Sequence, residues 1–164
     1  MESDGADGPR PATVGVETVL RLLTPDATGM PVRCGLHYDP ADPYAVQVRF
    51  HLGRRSVEMV SWSFARELLA AGLEGPSGLG DVRIWPWHTS HGDSVAMALT
   101  SPDGQALLEA PRATLAAFLQ DTYDAVPAGR ESERLDLDAD AWLSGHLLPD
   151  KPDKPDPEDD QDGR

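Results

Sequence analysis

The chain has 164 residues, 40% of them hydrophobic and 26% charged, a profile that suits one globular domain and excludes a wholly disordered chain. Its formal net charge of -14 at pH 7 repels phosphate backbones and anionic headgroups when averaged over the surface, which excludes nucleic acid as the default partner. A single cysteine, Cys34, excludes an intramolecular disulfide, and no apolar run approaches the ~20 residues needed to cross a bilayer, so direct membrane insertion is not expected.

Residues 1–15 are rich in Gly, Asp and Pro and offer little apolar surface to offset the entropy of ordering them, so they are predicted to form a disordered arm. They also lack the basic start and apolar stretch of an export signal, which makes a cytoplasmic location the expectation. The folded domain is predicted over residues 16–148. Its first strand covers residues 16–23, where Val16, Thr18, Leu20 and Leu22 share one face. Residues 31–38 and 44–52 follow as strands joined by Asp39-Pro40-Ala41-Asp42-Pro43, whose prolines fix φ and whose aspartates suit turns. In the second of these, Tyr44, Val46, Val48 and Phe50 alternate with Ala45, Gln47, Arg49 and His51, the pattern of an antiparallel sheet with one wet face.

A fourth strand is predicted over residues 57–62, followed by a short helix in which Phe64, Leu68 and Leu69 share a face and Gly72 supplies the left-handed end. Residues 74–80 are a glycine-rich loop, residues 81–85 and 94–100 two further strands, and Ser101-Pro102-Asp103-Gly104 a turn that returns the chain as a seventh strand over 105–110. Pro111 suits a first helical turn, and Leu115, Phe118, Leu119 and Thr122 line one side of the helix after it. Asp138 is placed to cap a last helix carrying Trp142, Leu143, His146 and Leu147. The fold class is therefore α+β: an antiparallel sheet of about seven strands with two or three helices. Residues 149–164 close the chain as an acidic, Pro-rich tail in which the Asp-Lys-Pro repeat favours extended polyproline-like structure.

The residues with most chemical potential lie in Trp87-His88-Thr89-Ser90-His91-Gly92-Asp93-Ser94, predicted as a loop. His88, His91 and Asp93 are donor types that zinc accepts, but the three-residue histidine spacing aligns ligands only on a helix. Ser90, His91 and Asp93 are too close in sequence for a nucleophile, base and orienter, and no G-x-S-x-G elbow is present. Gly75, Gly78 and Gly80 lack the lysine and hydroxyl of a phosphate loop. No catalytic residue, metal ligand or cofactor is expected. Trp87 and His91 are instead assigned to partner binding, because loops on a rigid sheet carry recognition and tryptophan dominates binding energy. Trp85 and Trp142 are assigned to packing, and Arg54 and Arg55, the adjacent basic pair, to solvent.

The run Gly35-Leu36-His37-Tyr38-Asp39-Pro40-Ala41-Asp42-Pro43-Tyr44-Ala45-Val46 resembles a segment of the SsgA-like family. Trp62-Ser63-Phe64-Ala65-Arg66-Glu67-Leu68-Leu69, Gly78-Leu79-Gly80-Asp81-Val82-Arg83-Ile84-Trp85-Pro86, the stretch from Ser101 to Pro111, and Leu135-Asp136-Leu137-Asp138 are similar to further motifs of that family in the same order. The acidic tail, Trp87-His88 and Val32-Arg33-Cys34 depart from its pattern and leave the branch open. The resemblance implies a non-enzymatic regulator of sporulation-specific cell division that works at division septa, in septum placement or spore-wall maturation. It further implies a bell-shaped homotrimer of whirly-like architecture, with division or peptidoglycan-synthesis proteins as partners, the division GTPase FtsZ among them. The alternative is single-stranded nucleic-acid binding by a whirly-like sheet, which requires a local basic groove and stacking aromatics.

The tail's seven acids oppose three bases over Asp150 to Arg164 and bring no large apolar side chain. Its removal is expected to shift the melting temperature by less than about 4 °C in thermal denaturation.

Overall fold

A computed structural model describes residues 11–26, 28–53, 59–90 and 92–135. One seven-stranded sheet holds them, in the spatial order β4-β3-β2-β1-β7-β6-β5 with every pairing antiparallel. The strands are β1 (Val14–Leu23), β2 (Gly29–Tyr38), β3 (Ala45–His51), β4 (Met59–Ala65), β5 (Val82–Thr89), β6 (Gly92–Ser101) and β7 (Gly104–Pro111). Helix α1 (Arg66–Glu74) leads from one edge strand, β4, to the other, β5, and α2 (Arg112–Ala125) follows β7. Residues 131–135 are helical as well. The sheet is curled: side chains of β1, β4 and β6 line a common groove although β4 and β6 stand far apart in the strand order.

The curl encloses one face of the sheet, and the two-residue alternation of a strand decides which side chains point into it. Val16, Leu36, Val48 and Trp62 are opposite one another across β1 to β4, and Val95, Met97 and Leu99 of β6 face Ala110, Leu108 and Ala106 of β7 in the same way. The helices cover this inner surface, α1 against β5 and α2 against β1, β6 and β7. Leu115, Phe118, Leu119 and Thr122 are the buried face of α2, as their spacing predicts. Each large aliphatic or phenyl group taken fully out of water here contributes about 1.5–3 kcal/mol.

Arg66, the first residue of α1, is 1% exposed. Its Nη1 donates to the carbonyl oxygens of Thr122 at 3.0 Å and Val126 at 2.7 Å, and its Nη2 donates to Glu131 Oε1 at 2.7 Å. The guanidinium also lies 5.0 Å from the Tyr38 ring centre and 4.4 Å from that of Tyr123. It thus supplies α2 with the C-terminal positive charge that the helix itself lacks, and joins α1, α2, β2 and the 131–135 helix. Beside it the Tyr38 hydroxyl donates to the Pro43 carbonyl at 2.9 Å, which ties the Asp39–Pro43 turn to the core. Within that turn Asp39 Oδ1 accepts from the Ala41 N–H at 2.9 Å, the role its residue type suggests.

Several boundaries differ from the sequence expectation. β1 starts at Val14, pairing with Tyr38, so two residues assigned to the arm are strand. Tyr44 is exposed and lies before β3. Phe64 belongs to β4, opposite Val46, and not to the helix, because the buried alternation of β4 runs on to that residue. Gly72 does not end α1: it is buried within the helix, where an added Cβ would meet Ile84 Cγ2 at 2.4 Å, so the glycine permits close packing on β5. β5 continues through Pro86 to Thr89, since an edge strand tolerates a residue without an N–H. Pro111 ends β7 and caps α2 from outside the first turn. The expected start of strand four at Val57, the Arg54-Arg55 pair, the Asp138-capped helix with Trp142, the 149–164 tail and residues 1–10 of the arm lie outside the described residues.

Arg66→Ala is expected to cost about 3 kcal/mol in urea denaturation, because Glu131 and two carbonyls lose their donor in a buried site. Arg66→Lys should recover less than half, one ammonium being unable to match the planar fork. Gly72→Ala should cost about 1–3 kcal/mol through its clash with Ile84.

Candidate partner-binding surface

The segment expected to be a recognition loop is a β-hairpin. Trp85 is opposite Ala96, Trp87 opposite Ser94, His88 opposite Asp93 and Thr89 opposite Gly92, which leaves Ser90 and His91 as a two-residue connection. Gly92 has φ 125°, a value that favours glycine at this return. His91 lies outside the described residues. Alternation along β5 sends Trp85 and Trp87 to the outer face of the sheet and His88 to the opposite one. The sheet therefore separates Trp87 from His88, which sequence proximity grouped together.

His88 and Asp93 meet across the hairpin, Nδ1 to Oδ1 at 3.0 Å, with side chains 81% and 71% exposed. An ion pair so open to solvent contributes little to stability. Ser94 Oγ donates to Glu109 Oε1 at 2.8 Å, and Thr89 Oγ1 donates to the Gly92 carbonyl at 3.2 Å. These polar groups are thus engaged in local bonds. The half-buried Trp85 and Trp87 form an aromatic strip along the edge strand, with small Ala96 and Ala98 beside it on β6. Ala96 is fully buried on this face, as expected for a methyl flanked in register by Trp85 and Glu109. Such a strip is a rigid anchor suited to protein contacts.

Two features escaped the sequence reading. One is an apolar groove of about 310 Å³ at the open end of the curl, with Leu22, Val32, Leu52, Val60, Trp62 and Leu108 among its walls. Alternating apolar residues mark these strands as half-buried, but only the curl brings β4 round to β6 and β7. The other is the charge of the outer face of β1 to β4. Among the described residues it carries three arginines, Arg21, Arg33 and Arg49, with His37 and His51 beside them, against one carboxylate, Glu17, although the chain as a whole has a net charge of -14. The signal was present as cations at alternate positions of three separate strands. It becomes a surface only when register places them side by side.

Gly35 leaves room for this cluster, since a Cβ there would meet His37 Nε2 at 2.6 Å and Glu17 Oε1 at 2.8 Å. His51 Nε2 lies 3.4 Å from Glu17 Oε2, and Arg49 Nη2 donates to Gln47 Oε1 at 3.0 Å. Burial first, then the Arg49 guanidinium and His51, hold the His37 imidazole below its ordinary pKa of 6.5, with Glu17 opposing. Burial, aided by Glu17, pushes the Cys34 thiol beneath the same strands up to about 11, which keeps it an unreactive thiol.

The sequence profile of the family described as Streptomyces sporulation and cell division protein, SsgA, matches residues 32–131. A sporulation-specific cell division protein SsgB of Salinispora tropica is 63% identical over 129 residues, 79% of this chain and 90% of that protein. The SsgB of Streptomyces coelicolor is 52% identical over 137 residues, 83% of this chain and 96% of that protein. Among solved structures, an SsgA-like sporulation-specific cell division protein from Thermobifida fusca superposes with a TM-score of 0.75 at 42% identity, over 85% of this chain and 99% of that one. Another, described with mutations in SsgB that correlate to longitudinal cell division during sporulation of Streptomyces coelicolor, gives 0.71 at 50% identity over 77% and 98%.

The lowered His37 pKa fixes the sign of a pH effect. The native state resists protonation that the unfolded chain accepts, so this residue lowers stability as pH falls below about 6.5 and contributes no pH dependence above it. His37→Gln is expected to flatten the urea midpoint between pH 7 and pH 5 relative to the parent chain.

Proposed function

The chain belongs to the SsgA family of sporulation and cell division proteins, and from that premise we propose that it is a non-enzymatic adapter in sporulation-specific cell division. Its relatives are named sporulation-specific cell division proteins, which supports a role in that process. The adapter works at division septa, in septum placement or spore-wall maturation, by docking division or peptidoglycan-synthesis proteins, with FtsZ the first candidate. It does so as a cytoplasmic homotrimer whose rigid sheets present several copies of one surface. No helix among the described residues is long and apolar enough to cross a membrane. The observation that carries the reading is the 63% identity over 129 residues, which spans 79% of the chain rather than a single motif.

Within this reading Trp87 supplies the anchor, being half-buried on a rigid strand next to an exposed turn. Single-stranded nucleic-acid binding would require arginines beside stacking rings. Here Arg83 alone shares the outer face of β5 with Trp85 and Trp87, and one arginine cannot make the several phosphate contacts that such binding uses, which favours a protein partner.

Three measurements test the proposal. Expression of the chain in a sporulating actinobacterium lacking its SsgB should restore regularly spaced spore septa, and failure at normal protein level would refute the role. In pull-down with purified FtsZ, the parent chain should bind, and replacing Trp87 and His91 by alanine should weaken capture at least ~tenfold with the sheet intact. Light scattering that returns a monomer at micromolar concentration would remove the trimer.

A further inference from the structure

The outer face of β1 to β4 has an arrangement as well as a sign. Arg21 on β1 is opposite Pro31 on β2, Arg33 is two residues further along β2, and Arg49 on β3 is opposite Gly35, two residues further again. Each step is one strand across and two residues along, about 8 Å by ordinary sheet spacings. The three guanidinium groups therefore lie on one evenly stepped diagonal. Arg21 and Arg33 are exposed and Arg49 is half-buried. Among the described residues no carboxylate lies within ion-pair distance of any of them. Glu17, the acid on this face, pairs with His51, and Glu109, opposite Arg21 on β7, accepts the Ser94 hydroxyl. Phe, Tyr and Trp are absent from the outer positions of these four strands, which also carry Val19, Gln47, Met59, Ser61 and Ser63.

The chain itself contains a matching anion. In Asp150-Lys151-Pro152-Asp153-Lys154-Pro155-Asp156-Pro157 the aspartates recur every third residue. A polyproline II helix, which this composition favours, has three residues per turn and a rise of ~3.1 Å, so the aspartates would align on one side about 9 Å apart. Lys151 and Lys154 would point elsewhere. An acid spacing of about 9 Å matches an arginine spacing of about 8 Å within the reach of flexible arginine stems. Asp150 follows Leu135 by fifteen residues, and with the helix expected after Asp138 counted at 1.5 Å per residue and the remainder extended they span roughly 30 Å, about the distance across a domain of this size, so the face is accessible to the segment.

We propose that the Arg21-Arg33-Arg49 diagonal is a docking site for an extended acidic peptide and that its resident occupant is the chain's own Asp150–Asp156 segment. Tethering gives the segment an effective concentration near millimolar, so a few solvated ion pairs suffice to hold it there for part of the time. The docked segment covers the basic face, and an acidic partner must displace it. Such docking is weak enough to stay within the melting-temperature margin given above for loss of the tail.

The test compares the full-length, 15N-labelled chain with the full-length variant carrying Asp150→Asn, Asp153→Asn and Asp156→Asn. At 20 mM salt the amide resonances of Arg33, Gly35 and Arg49 should differ between the two, and at 300 mM the difference should vanish as screening tightens. A synthetic peptide of residues 148–160, added to the neutralised variant, should restore the parent shifts. Its Kd should rise at least ~tenfold when Arg33→Gln and Arg49→Gln are introduced. Identical spectra of parent and neutralised chains would overturn the proposal without involving a sheet mutation. Shifts that grow with protein concentration would assign the occupant to a second copy and overturn the intramolecular site. Tighter binding of a fifteen-nucleotide oligothymidylate than of the peptide would overturn it in favour of nucleic acid.

Discussion

Arg66 is a cation that cannot shed its proton, held with almost no solvent contact, and the arrangement around it follows from that condition. Burying a guanidinium costs several kcal/mol unless donors and charge are both satisfied. Two carbonyls from the last turn of α2 and the Glu131 carboxylate satisfy its hydrogen bonds, and two tyrosine rings take its faces. These partners come from three stretches of chain, so the end of α2, the 131–135 helix, β2 and the start of α1 are fixed relative to one another. The same contacts give α2 its C-terminal charge, and α2 in turn covers β1, β6 and β7. A neutral residue at this place would avoid the desolvation cost but would orient none of these elements.

This clamp has a counterpart at the other end of the sheet. There the strands open round an apolar groove of about 310 Å³, with exposed Leu52 and Val60 at its margin. One end of the curl is thus locked by directional polar contacts and the other is bounded by nondirectional apolar walls. Between them the outer surface carries three arginines and two histidines on β1 to β3, and two tryptophans with Arg83 on β5. One short helix, α1, joins the two edge strands of this curled sheet.

The hairpin of β5 and β6 shows how local signals mislead at edges. Pro86 reads as the end of a strand because it lacks an N–H, and two histidines, an aspartate and a glycine read as a loop. On an edge strand the missing donor is not needed, pairing continues to Thr89 and Gly92, and the candidate loop shrinks to a turn. Gly72 misled in the opposite sense. Its position near the end of a short helix suggested a cap, whereas the requirement it meets is contact with Ile84 of β5, a residue twelve positions away.

Alternation in β1, β2, β3, β6 and β7, the turn chemistry at Asp39–Pro43 and Ser101–Gly104, and the buried stripe of α2 were legible in the sequence, because each depends on neighbours within a few residues. So was the family, since its motifs are local strings. Strand order, the burial of Arg66 and the basic diagonal were not. An arginine that opens a helix has the same local pattern whether it meets water or two tyrosines, and Arg21, Arg33 and Arg49 are unrelated in sequence until antiparallel register sets them one strand apart. Local propensity determined which segments became strands and helices, while the basic diagonal and the apolar groove were decided by long-range pairing, which no short stretch of sequence encodes.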